Sequence, residues 1–350
     1  MATISPGLFQ LREFNVTPGT SSVSGLSSGA FMTVQLHLAH SASFAGAGVI
    51  AGGPCRCADS LGQTPDLQVQ AALYVCMNPL TDQTAPDVDY LVRLTHEAER
   101  DGKIDPVGNL ADDKLYIFTG TEDEVVASRV VARTKRFYRQ LGVPEAAIEY
   151  DDEEPAGHAI ITENLEDSPL ELNQPPYINR GGFWQSHRIL RHIHGKLKAP
   201  VEQPTGKLVR FDQRPFFGGN SRSSMSEFGY AYIPKAVEQG APARIHIALH
   251  GCKQGYNYVD YINGRADTRN QPPYGNRYFT TTGYNEIADS NNIIVLYPQA
   301  EGADDGQTQN PEGCWDWWGY STPPDAEPDY WSREAIQIKA IHSMLQALGG

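Results

Sequence analysis

Val23-Ser24-Gly25-Leu26-Ser27-Ser28-Gly29-Ala30-Phe31-Met32 is a short strand-like run that ends in Gly25-x-Ser27-x-Gly29 and passes at once into an amphipathic helix. A serine hydroxyl exposed at so sharp a strand-to-helix turn needs small neighbours, because only they let the backbone pass so tightly. The stretch reads as a nucleophile elbow, and Ser27 is the candidate nucleophile. The amide of Ser28, at the N-terminus of the following helix, can stabilise a negative oxygen. A lone Gly-x-Ser-x-Gly match describes a flexible loop equally well, so the surrounding elements have to decide.

Outward from the elbow, Phe31 to His40 reads as helix and Ala45 to Ile50 as a buried strand, which makes a βαβ unit. Residues 55 to 86 read as loop, and Asp87 to Arg100 as an amphipathic helix. Lys114-Leu-Tyr-Ile-Phe-Thr-Gly120 is a short apolar strand followed by Thr121-Glu122-Asp123-Glu124 and a helix from about Ala127 to Leu141. Ala147 to Tyr150 is a further strand, running through an acidic turn to Pro155-Ala156-Gly157-His158. Ser27, Asp123 and His158 each follow an expected strand, at the edge where open α/β sheets carry their sites. His158 would take the Ser27 proton and Asp123 would hold its tautomer. Taken singly, Asp123 is as well explained as a helix cap and His158 as an ordinary loop residue. Glu122 and Asp152 are the substitutes for Asp123.

A helix starting near Gly182 carries His187, His192 and His194, whose spacing is not that of a helical zinc site, so they read as packing or surface residues. Lys198 to Gly206 reads as a linker. Phe228 to Ile233, Arg244 to Leu249 and Ile293 to Pro298 are strands, Tyr278 to Asp289 is a helix, and a last helix begins near Ser332. The second of these strands ends in His250-Gly251-Cys252, the kind of turn that supplies oxyanion donors. That turn ordinarily precedes the serine elbow, and here it follows it. The expected fold is therefore α/β: an α/β-hydrolase fold, circularly permuted, with a mostly parallel sheet flanked by helices. One catalytic domain spans 1–350, its 1–200 half carrying the triad and its 206–350 half completing the same sheet.

Composition narrows the function. With 350 residues, 40% hydrophobic and 20% charged, the chain can bury a large core. A net charge of -14 argues against nucleic acid and anionic membrane surfaces and in favour of a neutral substrate. No apolar run is long enough to span a bilayer. The first residues lack a basic and apolar leader, so a secretory signal is expected to have been removed or never to have existed. Five cysteines leave at least one unpaired. Bridges Cys57 to Cys76 and Cys252 to Cys314 would suit an exported enzyme, secreted or periplasmic; five buried thiols in a cytosolic protein are the alternative.

Ser24-Gly-Leu-Ser-Ser-Gly29, Ala51-Gly-Gly-Pro54, Thr119-Gly-x-x-Asp123, Gly157-His158, Leu249-His-Gly-Cys252, Ile294-Val-Leu-Tyr-Pro-Gln299 and Gly313-Cys-Trp-Asp-Trp317 together resemble the single-domain, circularly permuted poly(3-hydroxybutyrate) depolymerases. The resemblance implies a Ser27, Asp123, His158 triad, the amides of Ser28 and Cys252 as oxyanion hole, and Trp317 as a wall of the substrate crevice. It implies a polyester or its oligomers as substrate, and a monomer is the expected state. Two departures stand out: His158 is followed by Ala159-Ile160 where an aromatic is expected nearby, and the stretches Arg265 to Tyr278 and Ser321 to Tyr330 look long. The chemistry of an ester requires no metal or other cofactor. Tyr256, Tyr258, Tyr261, Tyr274, Tyr278, Trp315, Trp317, Trp318 and Tyr320 are the aromatics that could face an uncharged polyester, with core packing favoured for Trp315. A feruloyl or acetyl esterase of carbohydrates, and a catalytically silent polymer-binding protein, are the competing readings.

Overall fold

The computed structural model describes residues 4–256, 260–262, 265–267, 275–305, 308–323 and 325–350. Among the described residues, nine strands form one sheet in the order Ile4–Phe9, Lys207–Asp212, Phe228–Ile233, Ile293–Tyr297, Arg244–Leu249, Ser21–Leu26, Phe44–Ile50, Lys114–Phe118, Ile148–Asp151. Phe228–Ile233 runs antiparallel to both neighbours. The remaining pairings are parallel. Buried on both faces, the central strands are near-continuous apolar runs such as Ile293-Ile-Val-Leu-Tyr297, as a covered parallel sheet requires. The elbow strand Ser21–Leu26 sits between a strand from late in the chain and one from early in it, and both halves feed the same core.

The helix Ser28–Ala39 is buried at every position, and Gln185–His194 lies so close to the sheet that a Cβ on Gly48 would fall 2.8 Å from Ile189 Cγ2. Asp87 caps the helix Val88–Arg100, its carboxylate accepting from the amides of Asp89 and Tyr90. At the far end of the chain, the carbonyl of Leu348 accepts from Phe14 N at 3.1 Å, and Ala243 N donates to Asn15 O at 2.8 Å. The segment leading into the elbow strand is thus pinned beside the end of the last helix.

Several boundaries differ from the sequence expectation, for identifiable reasons. The stretch expected as loop from residue 55 contains a 3-10 turn Cys57–Leu61, a helix Pro65–Ala71 and a widened turn Ala72–Met77. These pieces are too short to show a helical period. A disulfide between Cys57 and Cys76 ties them together. The single helix expected from Tyr278 is two, Arg277–Thr281 and Tyr284–Asn291, broken at Gly283 with φ 84°. The last helix starts at Ile336, because Ser332 closes a preceding turn on Asp329 instead of capping. The strands Ile4–Phe9 and Lys207–Asp212 were not expected. Cys252 is bridged to Cys314. Cys55 is free and buried, its thiol pushed up to about 12 chiefly by burial.

Burial also holds a set of histidines neutral. His246 bonds Ser22 at 2.7 Å and Ser24 at 2.8 Å under the elbow strand, with His194 also on Ser22 at 2.9 Å. Loss of solvent lowers His246 far below its usual value of 6.5, His194, His187 and His250 to about 4, and His40 to about 3. The unfolded chain therefore binds more protons than the folded one between the ordinary value of 6.5 and about 4. Stability is full above that window and falls as pH drops through it, each such histidine contributing up to about 1.4 kcal/mol per pH unit. Denaturant midpoints measured at pH 7.5, 6 and 4.5 should fall steeply in that order; midpoints that hold steady or rise would contradict this account of the buried imidazoles.

Candidate active site

The turn that ends the elbow strand holds Ser27 at φ 57°, ψ -123°, a conformation that side-chain-bearing residues rarely adopt. It is held by the Ser27 N–H on Ile50 O at 2.9 Å and by the Ser27 carbonyl accepting from Ala30 and Phe31. The flanking glycines answer a close approach. A Cβ on Gly25 would lie 2.3 Å from the Gly29 carbonyl, and one on Gly29 would lie 2.4 Å from the carbonyls of Leu249 and His250. Ser28 is the first helical residue, so its N–H has no intrahelical acceptor.

Beyond the strand Lys114–Phe118, Asp123 uses both carboxylate oxygens. Oδ1 accepts from the amides of Val125 and Val126 at 2.8 and 2.9 Å, and Oδ2 accepts from His158 Nδ1 at 2.8 Å. Asp123 does not cap the helix Ser128–Gln140, whose N-cap is Ala127 with no side-chain bond; one oxygen braces the loop before that helix while the other orients His158. Both side chains are almost wholly buried. The carboxylate that meets His158 is that of Asp123, whereas Glu122 offers its backbone carbonyl to Asn173. With Nδ1 engaged, Nε2 is the ring nitrogen left to exchange a proton with a reacting group.

The turn His250-Gly251-Cys252 ends the strand beside the elbow, with Leu249 in register with Gly25. A Cβ on Gly251 would stand 3.3 Å from Ser27 Cβ, so this turn borders the nucleophile. The Cys252–Cys314 bridge, with Cα atoms 4.2 Å apart, joins it to the Trp315-Asp316-Trp317 loop. Asp316 is buried, which raises its carboxyl pKa, and it accepts from the amides of Trp318, Gly319, Tyr320 and Ser321. Among the described residues, the grouping with metal-ligand spacing is Cys252, Glu312 and Cys314, whose sulfurs are joined to each other and are not thiolates.

The aromatics divide. Trp315 is wholly buried, and Tyr278 is buried with its hydroxyl on Leu249 O at 2.8 Å; both belong to the packing. Trp317 is 5% exposed and stacks on Phe31 of the elbow helix with centroids 4.0 Å apart, so any contact it makes with substrate is by its rim. Trp318 and Tyr320 are half-buried, and Tyr256 is exposed. Tyr258 and Tyr274 lie outside the described residues, as does the side chain of Tyr261.

Three residues were missed in the sequence. Asn173 Oδ1 accepts from His158 N at 2.7 Å and Glu124 N at 3.1 Å, while its Nδ2 donates to Glu122 O at 2.9 Å, tying the acid loop to the histidine loop. Tyr177 sets its ring edge-on to His158, centroids 5.6 Å apart. Gln254 spans from the Gly251 amide to the carbonyl of Pro176, at 2.6 Å each. The contacts to His158 and to Pro176 span long sequence separations, and no local pattern announces them.

A serine on a strained turn, a buried imidazole braced by a carboxylate, and backbone amides beside the serine make a set suited to acyl transfer. No family model matches the chain. It is 36% identical over 331 residues to a poly(3-hydroxybutyrate) depolymerase of Delftia acidovorans, covering 93% of this chain. It spans only 58% of that relative's length. It is 33% identical to a polyhydroxybutyrate depolymerase of Talaromyces funiculosus, over 89% of this chain and 85% of the relative. Among solved structures, a serine-to-alanine PHB depolymerase complexed with an R3HB trimer superposes with TM-score 0.81 and 29% identity, over 97% of this chain and 98% of the other. The PHB depolymerase from Penicillium funiculosum gives 0.80 at the same identity and coverage.

Proposed function

The chain belongs to the poly(3-hydroxybutyrate) depolymerase family of carboxylic ester hydrolases, and from that premise we propose that it cleaves the ester bonds of poly(3-hydroxybutyrate) and its oligomers through an acyl-enzyme on Ser27. The observation that carries the reading is the buried Asp123–His158 hydrogen bond of 2.8 Å, on the edge of the sheet where the Ser27 elbow emerges. His158 Nε2 takes the Ser27 proton as Oγ attacks the carbonyl carbon. The amides of Ser28 and Cys252 receive the oxyanion, and removing one such donor costs on the order of 3 kcal/mol. Collapse breaks the ester C–O bond as His158 protonates the leaving hydroxyl. A water, deprotonated by His158, then adds to the acyl carbon and frees the acid and Ser27.

The late strands lie on one flank of the elbow strand and Phe14 meets Leu348, which supports a circularly permuted α/β-hydrolase in one catalytic domain over 1–350. Two disulfides support an oxidising compartment outside the cytosol. No helix among the described residues is long and apolar enough to cross a membrane. A neutral polyester suits a chain of net charge -14, and we take the enzyme to act as a monomer.

Incubation with the polymer should release 3-hydroxybutyrate and its short oligomers. Release of ferulate or acetate from decorated carbohydrates with the polyester untouched would replace this reading by the carbohydrate-esterase one. Trp317→Ala removes a buried ring and should lower the melting temperature, a large aromatic truncation costing about 3 to 5 kcal/mol. If its rim also meets substrate, trimer hydrolysis falls further than hydrolysis of a short nitrophenyl ester, because remote binding orients the true substrate. Equal losses on both substrates would make Trp317 a packing residue alone.

A further inference from the structure

Asp123 and His158 stand on two loops that meet beyond the ends of their strands, and neither lies in a helix or strand that would fix its direction. Two direct bonds cross between the loops, from Thr121 N to Glu154 O at 2.9 Å and from Glu122 N to Ala156 O at 3.1 Å. Both stop short of the reacting residues. The side chain of Asn173 reaches further. Its Nδ2 donates to Glu122 O at 2.9 Å, and its Oδ1 accepts from Glu124 N at 3.1 Å and from His158 N at 2.7 Å. Glu122 O belongs to the peptide before Asp123 and Glu124 N to the peptide after it, so one amide grips both planes that set the direction of the Asp123 side chain. The same amide holds the peptide that leads into His158.

The segment that carries Asn173 is itself fixed. Gly157 N donates to Leu170 O at 2.8 Å, and a Cβ on Gly157 would lie 2.5 Å from Glu171 O and 2.4 Å from Leu172 O. Asn179, wholly buried, donates from Nδ2 to Leu170 O and Leu172 O at 2.9 and 2.7 Å. With a second donation to Glu171 O at 3.3 Å, both donors and both lone pairs of the Asn173 amide are spent on backbone. None remains for a substrate.

We propose that Asn173 is a positioning residue for the catalytic pair: by holding the peptides on both sides of Asp123 and the amide of His158, it sets the 2.8 Å bond from His158 Nδ1 to Asp123 Oδ2. The inference rests on the acyl-transfer reading above and adds to it the residue that keeps acid and base in register.

Asn173→Leu is close to the parent side chain in size and removes all four bonds. It should lower kcat on a short nitrophenyl ester about 10- to 100-fold with KM within about twofold, at a temperature well below its melting point, because misaligned catalytic groups slow the chemistry and leave binding alone. In an Asp123→Asn background the same substitution should cost less than about threefold, since a side chain that no longer sets the tautomer gains nothing from being aimed. A purely structural role would give the same loss in both backgrounds. Equal losses, or a kcat for Asn173→Leu within about threefold of the parent, would therefore overturn the proposal. Asp123→Asn as active as the parent would instead overturn the acyl-transfer reading, so the two failures are distinct. Should Asn173→Leu not fold, Asn173→Ala, which admits water to the released backbone groups, is measured in the same two backgrounds: a loss confined to the enzyme that keeps Asp123 sustains the proposal, and equal losses or none end it.

Discussion

Ser27→Ala should abolish hydrolysis of every ester the enzyme accepts, with a loss of up to about a millionfold in kcat if the triad acts as a unit. The size follows from what the position supplies. Alanine removes the oxygen that forms the acyl bond, and neither Ser28 nor a water inherits its place. Ser28 Oγ is already an acceptor for the Trp315 amide at 3.2 Å, on the first turn of the buried helix. The fold should survive, since the hydrogen bonds that hold the elbow are made by the Ser27 backbone and the glycines relieve its crowding. An unchanged melting curve with no turnover is the expected pair of results. Residual hydrolysis above about a thousandth of the parent rate would remove Ser27 from the role of nucleophile.

Asp123→Asn should cost about 10⁴-fold in kcat, for a reason specific to how Asp123 is held. Its Oδ1 is pinned by the amides of Val125 and Val126, which can bond only to an acceptor. The asparagine carbonyl must therefore take that side, and its NH₂ then faces His158 Nδ1. Nδ1 has to give up its proton to accept from the amide, which moves the proton to Nε2. An imidazole protonated there cannot accept a proton from Ser27. Asp123→Ala loses the bonds from Val125 N and Val126 N as well, so it should combine a comparable kinetic loss with a lower melting temperature. Activity of the asparagine variant within about tenfold of the parent would show that the carboxylate is not setting the tautomer.

The parts of this molecule that could be read from the chain are those written in neighbouring residues. The elbow is one: Gly25 and Gly29 on either side of Ser27-Ser28 force one backbone path, and the φ of 57° at Ser27 is the strain that path implies. The apolar strands are another, because a parallel strand buried on both faces has a distinctive composition. Two neighbouring strands at one end of the sheet were not legible. Lys207–Asp212 mixes charged and apolar residues, and Ile4–Phe9, the edge strand beside it, contains Pro6 and Gly7, which weaken any strand signal. The break at Gly283 was also missed, since an isolated glycine in an apolar helical pattern is ordinarily tolerated.

In the candidate site the same division holds. Ser27, Asp123 and His158 each follow a strand, which is a local cue. Asn173 and Gln254 act only through backbone groups brought near by the fold. The His-Gly-Cys turn is legible in neighbouring residues, yet the bond that His250 accepts from Ala300 N comes from 50 residues away in the chain. Trp317, expected as a wall of the crevice, stacks one face of its ring on Phe31, a contact between distant parts of the chain.

The most direct test of the central claim is mass spectrometry of the enzyme acid-quenched during turnover of a 3-hydroxybutyrate oligomer, with peptide mapping of the acylated residue. The account predicts a 3-hydroxybutyryl group on Ser27, abolished in Ser27→Ala. A 3-hydroxybutyryl group on Ser28 in an active enzyme, or the same adduct persisting in Ser27→Ala, would contradict it.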